Sequence, residues 1–343
     1  MEIVWILELE LLDAAKHQEV SSFLALHPLM KETLLENSWQ IQAKERTLLI
    51  KLIKSCCLVE QVHSLYQRQV NVSAKSQRLI CKDDSYLGRS SIFTDRKSLT
   101  LIAGPCAVES EEQMILCAQA LTHYKIEYMR TGIFKPRTSP HSFQGLGCNA
   151  LGWLMKLKKE WPLKFVGEIL DSSHIDQALQ VIDIAQIGSR NMSNSHLLKT
   201  LAKSQVPVIL KRGFSSTYYE WLMAAETLLH HGAKEVILCE RGIRTFETHT
   251  RFTLDINAVA VMKELCHLPL IIDPSHSTGQ RRWVMAACRA AVAAGANGLI
   301  VEVHPNPQQA LSDSDQTLPL EALKNLVKMR QMFDWIQSNN LTD

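Results

Sequence analysis

The chain reads as an α/β protein, a (β/α)8 TIM barrel preceded by a small, mainly helical N-terminal module. Three observations predict this. From residue 99 onward, eight short apolar runs alternate with segments of helical spacing. Each run closes on a residue able to bind an anion, hold a metal or move a proton. The first 70 residues have a different texture, with Leu, Ile and Val at helical intervals, no Gly and one Pro.

Taken in order, residues 1–70 are expected to form two or three helices. The opening MEIVWILELELL carries Glu2, Glu8 and Glu10 without a basic leader or small-residue cleavage site, so it is read as a buried helix rather than a signal peptide or membrane span. Residues 71–98 are polar and rich in Ser, Lys and Asp, and are expected to be a linker that includes a short strand at the barrel's bottom. The barrel is expected over 99–335. Its strands are LTLIAGPC with Cys106, EYMRTGIF with Arg130 and then Lys135, KFVGEIL with Glu168, and IAQIGSR with Arg190. VPVILK with Lys211, EVILCER with Glu240 and Arg241, LPLIID with Asp273 and then His276, and GLIVEV with Glu302 complete the set. Buried parallel strands read as unbroken Val/Ile/Leu runs, and in a barrel their C-terminal ends converge on one mouth. The helices follow the same grammar: after VPVILK, a capping box from Thr217 to Glu220 opens YYEWLMAAETLLHH, which Gly232 stops.

Composition narrows the function. A hydrophobic content of 46% and a net charge of +2 describe an ordinary soluble protein and argue against nucleic acid as a partner. Nine cysteines show no CxxC pair or regular spacing, which favours a reducing cytoplasm. Neither GxGxxG nor GxxxxGK[ST] occurs, so the dinucleotide and phosphate-loop signatures are missing.

Two constellations remain. Cys106, His276, Glu302 and Asp313 fall near strand ends and could form a mixed metal site. One thiolate, one imidazole and two carboxylates suit a borderline divalent ion such as Mn, Fe, Co or Zn better than Mg or Ca. Singly, each has a plainer explanation: a buried Cys is usually a small hydrophobe, and a lone carboxylate a solvated or capping group. Arg130, Lys135, Arg137, Arg190, Lys211, Arg212, Arg241 and Arg244 gather at the same end, where they suit a polyanion. Salt bridges with neighbouring carboxylates are the alternative for any one of them.

GPCAVES at 104–110, KPRTSP at 135–140 followed by SFQGLG, and QIGSRNM at 186–192 are joined by LKRG at 210–213, ERGIRTFE at 240–247, DPSHSTG at 273–279 and EVHPNPQQALSD at 302–313. Together these motifs resemble the type I beta class of 3-deoxy-D-arabino-heptulosonate 7-phosphate (DAHP) synthases over about residues 95–330. The resemblance implies a metal-dependent transferase that joins phosphoenolpyruvate to erythrose 4-phosphate, the first step of the shikimate route to aromatic amino acids. It assigns Cys106, His276, Glu302 and Asp313 to the metal, and Arg130, Lys135, Arg190, Lys211 and Arg241 to phosphoenolpyruvate. Arg137 and Thr138 fall to the phosphate of erythrose 4-phosphate and Asp273 to its hydroxyls. Lys135 and Glu168 become the candidate proton-handling groups, with Cys106 and His276 also in the catalytic set.

Two other functions are weighed. The related 3-deoxy-octulosonate 8-phosphate synthases, which take arabinose 5-phosphate, typically carry a KANRS-like segment where this chain has KPRTS. A silent phosphoenolpyruvate-binding sensor is disfavoured by the intact quartet. Three positions depart from the family pattern: Thr131 where Gly is usual, His141 where Tyr is usual, and Ser314 after the ligand Asp. Thr131 bears most on the site, because a β-branched residue does not adopt positive φ cheaply, and Arg130 precedes it. At the N-terminus the family often carries a ferredoxin-like or a helical chorismate mutase domain. The helical texture here favours a regulatory, oligomerisation or degenerate chorismate mutase-like module, and VHSLYQRQVNVSAKSQ faintly resembles the last helix of such mutases. A homo-oligomer, dimer or tetramer, is expected.

Overall fold

In the computed structural model the chain divides into two units, Met1–Gln77 and Arg78–Asp343. The structure describes residues 2–9, 14–26, 31–35, 38–43, 62–70, 98–135, 139 and 141–339. The expected linker therefore lies almost wholly outside the described residues.

Where a mainly helical module was expected, the described residues of the first unit are mostly strand. Its described residues form strand β1 (Glu2–Leu9), helix α1 (Ala14–Ala25), and strands β2 (Lys31–Leu35), β3 (Ser38–Ala43) and β4 (Val62–Val70). The strands pair antiparallel in the order β2-β3-β1-β4. Trp5 at the centre of β1 lies opposite Ala43 on one side and Gln67 on the other. VHSLYQRQV, read as a possible mutase helix, is β4. A helix crossing between β1 and β2, with this strand order, is the arrangement of a ferredoxin-like sheet. Ile, Val and Trp in β1 suit a pleated, half-covered surface better than a helix.

The second unit is the barrel expected from the sequence. Its strands are β5 (Thr100–Gly104), β6 (Tyr128–Arg130), β7 (Lys164–Glu168), β8 (Ile184–Ile187), β9 (Val208–Lys211), β10 (Val236–Glu240), β11 (Leu270–Ile272) and β12 (Gly298–His304). Each pairs in parallel with the next, and β12 pairs with β5 to close the cylinder. A short β13 (Leu318–Pro319) extends from β12. Between the strands lie α2 (Glu111–His123), α3 (Leu151–Glu160), α4 (Ile175–Ala178), α5 (Ser195–Ala202) and α6 (Tyr218–His230). The series continues with α7 (Asn257–Leu265), α8 (Pro274–Thr278) and α9 (Arg281–Ala293), and α10 (Leu323–Ser338) ends the unit. The capping box at Thr217 and Glu220 forms as expected, and Gly232 follows α6 at φ 104°.

Two apolar layers hold this unit together. Outward-facing strand residues such as Phe165 and Leu210 pack against helix residues such as Leu154 and Trp221. Inside the barrel, Ile102, Tyr128, Val166, Ile184, Ile209, Cys239, Ile271 and Ile300 form a second cluster. Strand side chains alternate faces, so the residue two positions beyond each inner one also points inward, one layer nearer the C-terminal mouth. Those residues are Gly104, Arg130, Glu168, Gln186, Lys211, Arg241, Asp273 and Glu302. Gly104 leaves space: a Cβ there would lie 2.8 Å from the backbone of Arg130.

Candidate metal and anion site

The four proposed metal ligands meet. One ligand atom each from Cys106, His276, Glu302 and Asp313 lies within 4.8 Å of all the others. Cys106 stands two residues past β5, and Glu302 lies in β12. His276 sits in the short α8, which Asp273 caps by accepting a hydrogen bond from the His276 backbone N–H at 3.0 Å. Asp313 is in the left-handed region at φ 52°, which Asp tolerates better than most residues. Its carbonyl accepts from Thr317 Oγ1 at 2.8 Å, folding the loop back so that the carboxylate faces the thiol.

The hydrogen bonds orient each ligand. Asp273 Oδ2 lies 2.8 Å from His276 Nδ1, leaving Nε2 to face Glu302 Oε1 at 3.4 Å and Asp313 Oδ2 at 3.8 Å. Cys106 Sγ donates to Asp313 Oδ2 at 2.9 Å and accepts from Lys135 Nζ at 2.8 Å. Burial pushes the Cys106 thiol well above its usual range, with Glu302 adding to the effect. For Asp313, burial acts to raise the carboxyl, but His276, Lys135 and Arg251 outweigh it and hold it well below the usual carboxylate range. Burial likewise opposes the charge of Lys135, yet Cys106, Glu302 and Glu168 push the ammonium above the ordinary lysine value. A converging thiol, imidazole and two carboxylates, with the imidazole held through its other nitrogen, fit a divalent ion of borderline softness.

Beside the quartet lies a cavity of about 260 Å³, lined by Lys135, Glu168, Arg190, Lys211 and Arg241 among others. Arg130 is buried against Glu302, Nη2 to Oε1 at 3.0 Å, and its Nη1 has no hydrogen-bond partner among the described residues. Arg241 Nη1 is likewise buried without a partner among the described residues, and burial pulls this guanidinium down to about 10. Unpaired buried donors of this kind suit an incoming anion. Glu168 reaches the cavity because residue 188 is Gly: a Cβ there would lie 2.0 Å from Glu168 Oε1.

The surroundings of several other expected residues are as follows. Asp273, placed by resemblance at the sugar hydroxyls, is fully buried, with Oδ2 also accepting from Lys211 Nζ at 2.5 Å. In the structure it meets His276 and Lys211. Arg212, counted among the cations, pairs with Glu240 at 3.0 Å and Asp255 at 2.8 Å, the salt-bridge alternative. Thr131 does not take positive φ; among the described non-glycine residues only Lys125, Gln205 and Asp313 do. Its N–H donates to Val166 O at 2.8 Å, and Arg130 reaches the site. Arg137 and Thr138 lie outside the described residues.

Other participants escaped the sequence reading. Phe214 and Phe252 stack with centroids 5.0 Å apart, and Arg241 lies 3.9 Å from the Phe252 centroid, with Arg190 and Arg244 at 5.5 and 5.1 Å from that of Phe214. Arg251 donates to Asp313 Oδ1 at 3.2 Å, and Gln316 to Glu302 Oε2 at 2.6 Å. Neither Arg251 nor Gln316 ends a strand, so the strand-end pattern could not find them.

Comparison with known proteins agrees with this geometry. Residues 73–338 match the model of the DAHP synthetase I family. A phospho-2-dehydro-3-deoxyheptonate aldolase of Thermotoga maritima is 44% identical over 74% of this chain and 75% of its own length. A 2-dehydro-3-deoxyphosphooctonate aldolase of Syntrophotalea carbinolica is more distant, at 32% over 72% of this chain and 95% of its own. The crystal structure of the DAHP synthase from Thermotoga maritima aligns with a TM-score of 0.73 and 34% identity, covering 97% of this chain and 98% of that one. The chain belongs to the DAHP synthetase I family, on its type I beta, Thermotoga-like branch, and carries that family's synthase activity.

Proposed function

We propose that the barrel mouth joins phosphoenolpyruvate to erythrose 4-phosphate and water, releasing DAHP and phosphate, with a divalent metal held by Cys106, His276, Glu302 and Asp313. The convergence of those four ligand atoms within 4.8 Å, beside a cavity lined by cations, carries this reading. When bound, the metal supplies Lewis-acid polarisation of the aldehyde oxygen.

The chain's own groups do the rest. Arg130, Arg190, Lys211 and Arg241 hold the phosphate and carboxylate of phosphoenolpyruvate, the guanidiniums as forks and the lysine as a point charge. So held, the substrate presents C3 to the aldehyde carbon. Lys135, kept protonated by the anions around it, donates to the alkoxide that forms. Positive charge develops at C2, where Glu168 stands in the cavity wall to orient and deprotonate the incoming water. Collapse of the resulting hemiketal phosphate breaks the C–O bond and frees phosphate. Arg137 and Thr138 receive the phosphate of erythrose 4-phosphate.

Phosphate release on mixing both substrates tests the reading. It should stop after chelation and return with Mn, Fe, Co or Zn. Turnover with arabinose 5-phosphate in preference to erythrose 4-phosphate would instead establish the octulosonate reaction, and binding of phosphoenolpyruvate without release would establish a sensor.

A further inference from the structure

We propose that Arg251 and Gln316 are positioning residues that restrict both metal carboxylates to one-oxygen coordination. The inference rests on the metal site proposed above and concerns how that site is shaped. Glu302 is fully buried, and its two oxygens face different neighbours. Oε2 accepts from Gln316 Nε2 at 2.6 Å, while Oε1 accepts from Arg130 Nη2 at 3.0 Å and faces His276 Nε2 at 3.4 Å. Asp313 is divided in the same way. Oδ1 accepts from Arg251 Nη1 at 3.2 Å, and Oδ2 faces Cys106 Sγ at 2.9 Å and His276 Nε2 at 3.8 Å.

The two restraints form one network, because Gln316 Oε1 accepts from Arg251 Nη1 at 3.0 Å. Gln316 is 2% exposed, so water does not compete for its bond to Glu302. A carboxylate without such partners can turn to chelate an ion through both oxygens. With Glu302 Oε2 and Asp313 Oδ1 held on the side away from His276, the oxygens that face the other ligands are Glu302 Oε1, which also accepts from Arg130, and Asp313 Oδ2, so the protein offers four donor atoms: Sγ, Nε2, Oε1 and Oδ2. Coordination positions remain for a substrate oxygen, as a Lewis-acid site requires. Arg251 also lines the anion cavity, so the restraint on Asp313 runs directly to the place where substrate charge arrives.

Cobalt(II) tests this in the full-length protein, stripped of metal and reloaded. Wild type should show a sulfur-to-cobalt charge-transfer band from Cys106 and the stronger ligand-field absorption of a low coordination number. Q316L and R251M should keep the charge-transfer band but weaken the ligand-field absorption as a freed carboxylate takes a second position. The cobalt Kd should rise about 10-fold or more in each. Should Q316L fail to fold by circular dichroism, R251M carries the test, because its side chain is 41% exposed. Ligand-field intensity and Kd unchanged within about twofold, with the sulfur band intact, would overturn the proposal while leaving the metal site standing. Failure of wild type to bind cobalt through sulfur would overturn both.

Discussion

Burial keeps the Cys106 thiol protonated until an ion replaces its proton, and this has a measurable pH signature. Burial, aided by Glu302, raises the thiol above its ordinary value, so near neutrality it enters the binding equilibrium as S–H. The other three ligands have no proton to give there. His276 is pushed down, chiefly by burial, so it is already neutral; Glu302 and Asp313 are held low by His276 and nearby cations against the opposing effect of burial, so both are ionised. Metal uptake should therefore release one proton, and the apparent association constant should rise about tenfold per pH unit through the neutral range. Calorimetry in buffers of different ionisation enthalpy measures the count, and a value of zero or two would contradict the assignment. Lys135 is the second test at this scale. K135M should lower kcat by about 10²- to 10⁴-fold if the ammonium delivers the proton to the alkoxide, whereas near-normal turnover removes it from that role. Cys106, His276 and Glu302 could be read from the sequence because they lie in strands or within four residues of a strand end, and Asp313, in the loop after β12, through the motif EVHPNPQQALSD. The part played by Asp273 could not, since a carboxylate at a strand end looks the same whether it meets a sugar or an imidazole.

At the level of elements, the barrel strands were readable because each is buried on both faces and so leaves an unbroken apolar run, with the site residue two positions past an inner one. The N-terminal strands carry no such mark. β1 finds its partners in β3 and β4, tens of residues away, and local texture does not reveal pairing at that distance. β2 and β3 pair antiparallel, yet the two residues between them in the sequence, Glu36 and Asn37, include no Gly, so the strongest short-range turn signal was missing. The loops hid the Phe214–Phe252 stack for a related reason: its members come from different connections, after β9 and after β10, and meet only in three dimensions. That stack backs Arg241, whose guanidinium lies 3.9 Å from the Phe252 centroid. F252L should remove the aromatic face, let Arg241 wander and raise the KM for phosphoenolpyruvate about 5- to 30-fold, the loss expected of a desolvated cation–π contact worth roughly 1–2 kcal/mol. The KM for erythrose 4-phosphate should change far less. Steady-state kinetics with each substrate varied in turn would show an equal rise in both if the stack were merely structural.

For the whole molecule, the division into two units places the described site residues together in one of them. Every described residue assigned to the metal or to phosphoenolpyruvate lies within Arg78–Asp343, as do Arg251, Gln316 and both phenylalanines of the stack. The family match begins at residue 73, and a truncated DAHP synthase of Thermotoga maritima aligns with 70% of this chain at a TM-score of 0.64, covering 87% of that structure. The matched family region thus leaves out most of the first unit. The closed sheet supplies the physical reason: β12 pairs with β5, so no strand edge of the cylinder waits for a partner from the first unit. A chain starting at Arg78 should fold, bind cobalt with the same sulfur charge-transfer band and hold its metal Kd within about threefold of full length, a difference of only ~0.7 kcal/mol. It should also release phosphate from the two substrates. A folded truncation whose metal affinity fell more than about tenfold would show that the first unit braces the ligand loops. Retained affinity with lost turnover would place its contribution at the substrates instead.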